Sequence, residues 1–132
     1  MKSRFATLKA GAHALYQSEE VYRLANGTYT TDMTALEVIP GGCTIGTDKA
    51  KCTYPWGYCE IVFGSQRLHC ENTQTLQNGY VIYWGGEHKG INCWAFSSNK
   101  TDKYNQLCKQ EGGTWVSGGT CSGKGSCQIY KL

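Results

Sequence analysis

At 132 residues, with 40% apolar side chains and 8 cysteines, the chain has room for one domain whose modest core is supplemented by cross-links. Its net charge of +3 is far short of a strongly basic nucleic-acid domain. No apolar run reaches the roughly 18 residues a membrane-spanning helix requires.

Residues 2–26 read as one amphipathic helix. Phe5, Leu8, Ala12, Leu15, Tyr16 and Tyr22 recur at three- and four-residue steps, and Ser3 can cap the first turn. Ala6, Ala10 and Ala14 lie on a second, alanine-rich face that lets another surface approach. Glu19 stands four residues before Arg23 and can pair with it. Asn26-Gly27 stops the helix. Thr31 or Asp32 then caps a short turn around Met33–Leu36, which Pro40-Gly41-Gly42 ends.

Residues 43–57 read as a loop held at Cys43 and Cys52. Tyr58–Gly64 and Gln66–Asn72 form a hairpin across Gly64-Ser65, Gly79–Trp84 is the strongest strand, and Gly90–Phe96 is a fourth. A short helix near Asp102–Cys108 follows. Gly112–Cys127 reads as a glycine-rich loop around Trp115-Val116, and Gln128–Lys131 as an edge strand. The expected class is α+β: one long N-terminal helix on an antiparallel sheet of about four strands, with a disulfide-braced C-terminal loop region. The single domain, 1–132, divides into a helical spine (1–26), a helix-to-sheet loop (27–57), the sheet (58–96) and a cysteine-bounded C-terminal region (97–132).

The cysteine count is even, and no CxxC pair is present; the closest two, Cys121 and Cys127, are six apart. His13, His69 and His88 are scattered and read as surface residues. Four disulfides in an oxidising compartment is therefore preferred over structural zinc, and no metal or cofactor is expected. An exported chain needs a signal, and none stands in the sequence. The expectation is that it lies upstream of Met1, with Met1 an engineered start.

The run Tyr22-Arg23-Leu24-Ala25-Asn26-Gly27-Thr28-Tyr29, followed by Thr31-Asp32-Met33 and Leu36, resembles the exposed half of the N-terminal helix of type IV pilins and related pseudopilins. The resemblance covers about the first 40 residues; beyond them only the layout is similar. It implies a pilin-like fold and a structural, non-enzymatic subunit of an extracellular, cell-surface filament. In such proteins an apolar half-helix, absent here, anchors the precursor in the inner membrane and later forms the filament core. It follows a leader that is cut, leaving an N-methylated end. The partners implied are other pilin subunits, with Ala6, Ala10 and Ala14 as the helix-packing face. Eight cysteines depart from the one or two disulfides usual there. They weigh against the major pseudopilins of type II secretion, whose calcium site has no acidic counterpart in this sequence. Local pairing is expected: Cys93–Cys108, Cys121–Cys127, and Cys43, Cys52, Cys59 and Cys70 among themselves.

No catalytic constellation emerges. Carboxylates are dispersed, bridged cysteines leave no nucleophile, and Gly118–Gly125 misses a phosphate loop because Gly125 stands where Ser or Thr must hold magnesium. The charge excess lies entirely at 100–132, where five lysines face Asp102 and Glu111. With Trp84, Trp94 and Trp115 nearby, Lys100, Lys103, Lys109 and Lys124 are candidates for holding DNA, the runner-up being a minor pilin of DNA uptake. The plainer explanation is that the aromatics pack and the lysines solvate. Trp56, Trp94 and Trp115 are candidates for stacking on a sugar or host-surface receptor. A secreted disulfide-rich binding domain outside the family is the third reading.

Overall fold

The computed structural model describes residues 2–72, 77–121 and 125–132, except the side chains of Lys2 and Ser3, so the Ser3 cap falls outside it. The first element, α1, spans Lys2–Asn26. Phe5, Leu8, Ala12 and Leu15 are buried along one face, which fixes that face against the sheet. The helix ends at Gly27, whose φ of 84° only glycine adopts freely and whose N–H donates to the Arg23 carbonyl at 2.7 Å. Glu19 points inward and is buried, and its Oε1 accepts the Thr30 N–H at 3.0 Å. The expected Glu19–Arg23 pair is therefore not formed; Arg23 reaches Glu20 at 2.8 Å instead. A 3₁₀ turn at Met33–Ala35 follows, its N–H at Thr34 capped by the Asp32 carboxylate, with Met33 sunk into the core.

Eight strands come next: β1 (Thr44–Ile45), β2 (Lys51–Tyr54), β3 (Gly57–Val62), β4 (Arg67–Asn72), β5 (Asn78–Tyr83), β6 (Gly90–Ala95) and, after the second helix α2 (Lys103–Gln110), β7 (Thr114–Thr120) and β8 (Ser126–Lys131). All pair antiparallel in one sheet of order β1-β2-β3-β4-β5-β6-β8-β7.

This corrects the expected α+β class with about four strands: the molecule is mostly one eight-stranded sheet carrying one long helix. Three further strands, β1, β2 and β7, account for the difference. The expected loop at 43–57 contains β1 and β2, too short and polar to show strand periodicity, and the Cys43–Cys52 bridge ties the start of β1 to β2. The expected glycine-rich loop contains β7, whose exposed run Thr-Trp-Val-Ser-Gly-Gly-Thr buries no alternating face and carries Gly118-Gly119, and which is held by pairing with β8. β8 is consequently not the edge; β7 covers it on one side and β6 on the other.

α1 contacts β3, β4 and β5, and α2 contacts β6 and β8. Directly opposed residues share a face, so Cys52, Cys59, Cys70, Tyr80, Cys93 and Tyr130 form one buried row across six strands in the main core. A second cluster, Val81, Trp94, Phe96, Cys121 and Cys127, belongs to the alternate positions. α2 is fixed by the Cys93–Cys108 bridge, by Tyr130 Oη donating to Asn105 Oδ1 at 2.7 Å, and by Asn78 Nδ2 donating to the Trp94 and Tyr104 carbonyls. Cys59–Cys70 joins β3 to β4, and Cys121–Cys127 closes the turn between β7 and β8.

Candidate functional site

With its core face spoken for, α1 presents the opposite face to solvent. At 3.6 residues per turn, Ala6, Ala10, Ala14, Gln17, Val21 and Leu24 fall in one outward stripe. Val21 is 52% exposed and Leu24 78%. The described charges of the helix (Arg4, Lys9, Glu19, Glu20 and Arg23) lie in other sectors. A merely solvated face is ordinarily polar or charged; this one is uncharged and, Gln17 apart, apolar over about five turns. Ala6 and Ala10 are exposed and Ala14 is half-buried.

Ala14 is half-buried because a groove runs there, between α1 and the 36–41 stretch. Its middle, of about 190 Å³, is lined by Ala14, Gln17, Ser18, Val21, Glu37 and Val38. Through Ala14 and Val38 it continues into a hollow of about 280 Å³ beside Ala10, Gly11, Pro40 and Tyr54. Through Val21 and Glu37 it reaches another of about 170 Å³ beside Tyr22 and Ala25. Ser18 Oγ donates to the Val38 carbonyl at 2.7 Å and holds the second wall to the helix. Val38 stands 57% exposed on that wall.

Of the lysines chosen from sequence, Lys100 and Lys109 are brought together. Lys100 Nζ lies 3.6 Å above the Trp115 ring, Lys109 Nζ donates to the Lys100 carbonyl, and Lys103 sits at the other end of α2 beside Tyr104. Asp102 caps α2 at its start and Glu111 ends it, interrupting the positive surface. Lys124, with the Ser122–Lys124 part of the near-phosphate loop, lies outside the described residues. Of the three sugar-stacking candidates, Trp94 is only 2% exposed and cannot stack on a ligand, Trp56 stacks on Tyr54 with Arg4 over its ring, and Trp115 is exposed.

His69 is buried, which corrects its reading as a surface residue, whereas His13 and His88 are partly exposed. His13 Nε2 lies 2.9 Å from Tyr80 Oη, and burial followed by the nearby Lys9 charge lowers its pKa. It borders a hollow of about 240 Å³ with Tyr16, Trp84 and Ile91. His69 is fully buried, 3.6 Å from Glu60 and 3.6 Å from Glu71, with Tyr58 Oη donating to Glu71. The hairpin register was the signal available for this cluster, since it sets Glu60 opposite His69.

Near the end of the helix, Tyr29 Oη donates to Glu20 at 2.7 Å, and its pKa is pushed up to about 12 by burial and by that carboxylate. The phenol thus stays protonated and serves as a fixed donor. Among the described residues the one grouping of metal-ligand type is Cys43, Cys52 and Cys59, and all three sulfurs are bridged, so none offers the thiolate a metal requires. No helix of the described residues is long and apolar enough to cross a membrane. The chain matches no family model, no curated protein and no solved structure.

Proposed function

We propose that this chain is the head of a structural, filament-forming subunit outside the cell, and that its subunits contact one another through the outward face of α1. The observation that carries the reading is the uncharged stripe Ala6, Ala10, Ala14, Gln17, Val21 and Leu24 beside the apolar groove at Val38. Small residues let helix backbones approach closely, and Val21, Leu24 and Val38 supply apolar area that association removes from water. The pilin-like run at residues 22–36 supports the same reading. Four disulfides suit a head that works in an oxidising medium, compatible with an extracellular location.

The test is electron microscopy of filaments made by the full-length protein, comparing wild type with Ala10→Glu and Val21→Glu. Both residues are exposed, so folding stability should change by no more than about 0.5 kcal/mol. Filaments should be lost while the thermal midpoint of the head stays put. Normal filaments from both variants would remove the helix face from the assembly.

A further inference from the structure

Three cysteines stand side by side on neighbouring strands. Cys52 of β2 is directly opposite Cys59 of β3, which is directly opposite Cys70 of β4. Only two of the three can be joined, and the bond lies between Cys59 and Cys70, while Cys52 is bonded sideways to Cys43. The Sγ atoms of Cys43, Cys52 and Cys59 all lie within 4.8 Å of one another. The four sulfurs therefore form one compact group in which Cys52 and Cys59, unbonded to each other, are already neighbours. Cys52, Cys59 and Cys70 are wholly buried, and Cys43 alone of the four keeps some exposure, at 7%.

The geometry points to a thiol–disulfide exchange site that takes up a small-molecule thiol at Cys43 and delivers a free thiol to Cys70. In the first step the external thiolate attacks Cys43 Sγ. A mixed disulfide forms there, the Cys43–Cys52 bond breaks, and Cys52 leaves as a thiolate. In the second step Cys52 attacks Cys59 Sγ. The Cys52–Cys59 bond forms, the Cys59–Cys70 bond breaks, and Cys70 leaves as a thiolate that takes the proton lost by the entering thiol. Each step makes one S–S bond and breaks one, so no oxidant or reductant is consumed. The bridge moves from β3–β4 to β2–β3. The released thiol lies beneath α1, where Cys70 Sγ is 3.2 Å from the point a Cβ on Gly11 would occupy. Redox conditions outside the molecule thereby reach the seat of the long helix.

Two arms test this. In the first, the native wild-type protein is held with glutathione, then quenched with iodoacetamide and mapped by trypsin with chymotrypsin, which cuts between Cys52 and Cys59 at Trp56 and Tyr58. The expected product carries glutathione on Cys43, a Cys52–Cys59 bridge and alkylated Cys70 in equal amounts. Alkylation at Cys52 with Cys59–Cys70 intact would overturn the proposal, as would a Cys43–Cys52 bridge that glutathione does not open. The second arm is Cys43→Ser, which leaves Cys52 free from the outset. The expected result is two bridge isomers, Cys59–Cys70 and Cys52–Cys59, with the odd cysteine alkylated. A single isomer with Cys52 alone alkylated contradicts the exchange. Should that variant not fold, the wild-type arm decides.

Discussion

At the residue scale, two glycines show how closely the layers approach. A Cβ on Gly57 would overlap the Glu71 backbone carbonyl across the β3–β4 ladder, and backbone cannot yield as a side-chain tip can. Gly57→Ala should therefore cost about 2–3 kcal/mol in urea unfolding, in the range of overpacked sites. A Cβ on Gly11, mid-helix, would stand 3.1–3.4 Å from Tyr54 and the Cys59–Cys70 bridge, so glycine there lets α1 lie close against the sheet. Neither role is visible in the sequence, because both depend on the partner that arrives. Glu19 is similar: its spacing to Arg23 suggested a surface pair, yet it is a buried carboxylate. Burial raises its pKa above the ordinary 4.5, the Thr30 N–H opposes this, and the Glu20 charge adds to it. A raised folded-state pKa means that the folded chain binds the proton more tightly than the unfolded one. Stability attached to Glu19 is then complete below about pH 4.5 and declines as pH rises through the raised value. Against Glu19→Gln, the wild type should lose relative stability from pH 4.5 towards neutrality. Parallel stability curves would contradict the assignment. Glu20 acts oppositely: its pKa is lowered by Arg23 and then Tyr29, so its contribution is lost as pH falls below 4.5.

At the scale of elements, legibility followed local pattern. α1 is a strong periodic signal bounded by Gly27, and Gly64-Ser65 marks a turn that fixes Cys59 opposite Cys70. Asp102 marks the start of α2 through its side-chain bond to the Asn105 N–H. β1, β2 and β7 show no such pattern: β1 and β2 are short and largely polar, and β7 is exposed on both faces and interrupted by Gly118-Gly119, so pairing and bridging hold them. The half-buried helix α2 offers the cleanest test at this scale. Its bridge to β6 closes a loop of sequence separation 15, for which chain entropy gives about 3 kcal/mol. Replacing Cys93 and Cys108 together by alanine should lower unfolding stability by about that amount. The fold should persist, since the Asn105–Tyr130 and Asn78–Tyr104 bonds still dock the helix.

At the scale of the molecule, one sheet accepts α1 on its central strands and leaves that helix half-uncovered. The alanine stripe was readable from spacing alone, but the groove beside it was not. It arises because the 36–41 stretch runs back along α1 and is pinned there by Ser18. The eight-stranded breadth also carries β7 and the lysines of α2 to the far end of the sheet from β1 and β2. Any role of Lys100, Lys103 and Lys109 is therefore exercised well away from the bridged pair Cys43–Cys52. The central claim, that the outward face of α1 is where subunits meet, is tested most directly by photo-crosslinking. A photoreactive phenylalanine derivative placed at position 21 in the full-length protein, irradiated after assembly, should yield a dimer whose adduct maps to α1 or the 36–41 groove wall of the neighbouring subunit. An adduct confined to other residues of the neighbour, or assembled protein that gives no cross-link, would contradict the account.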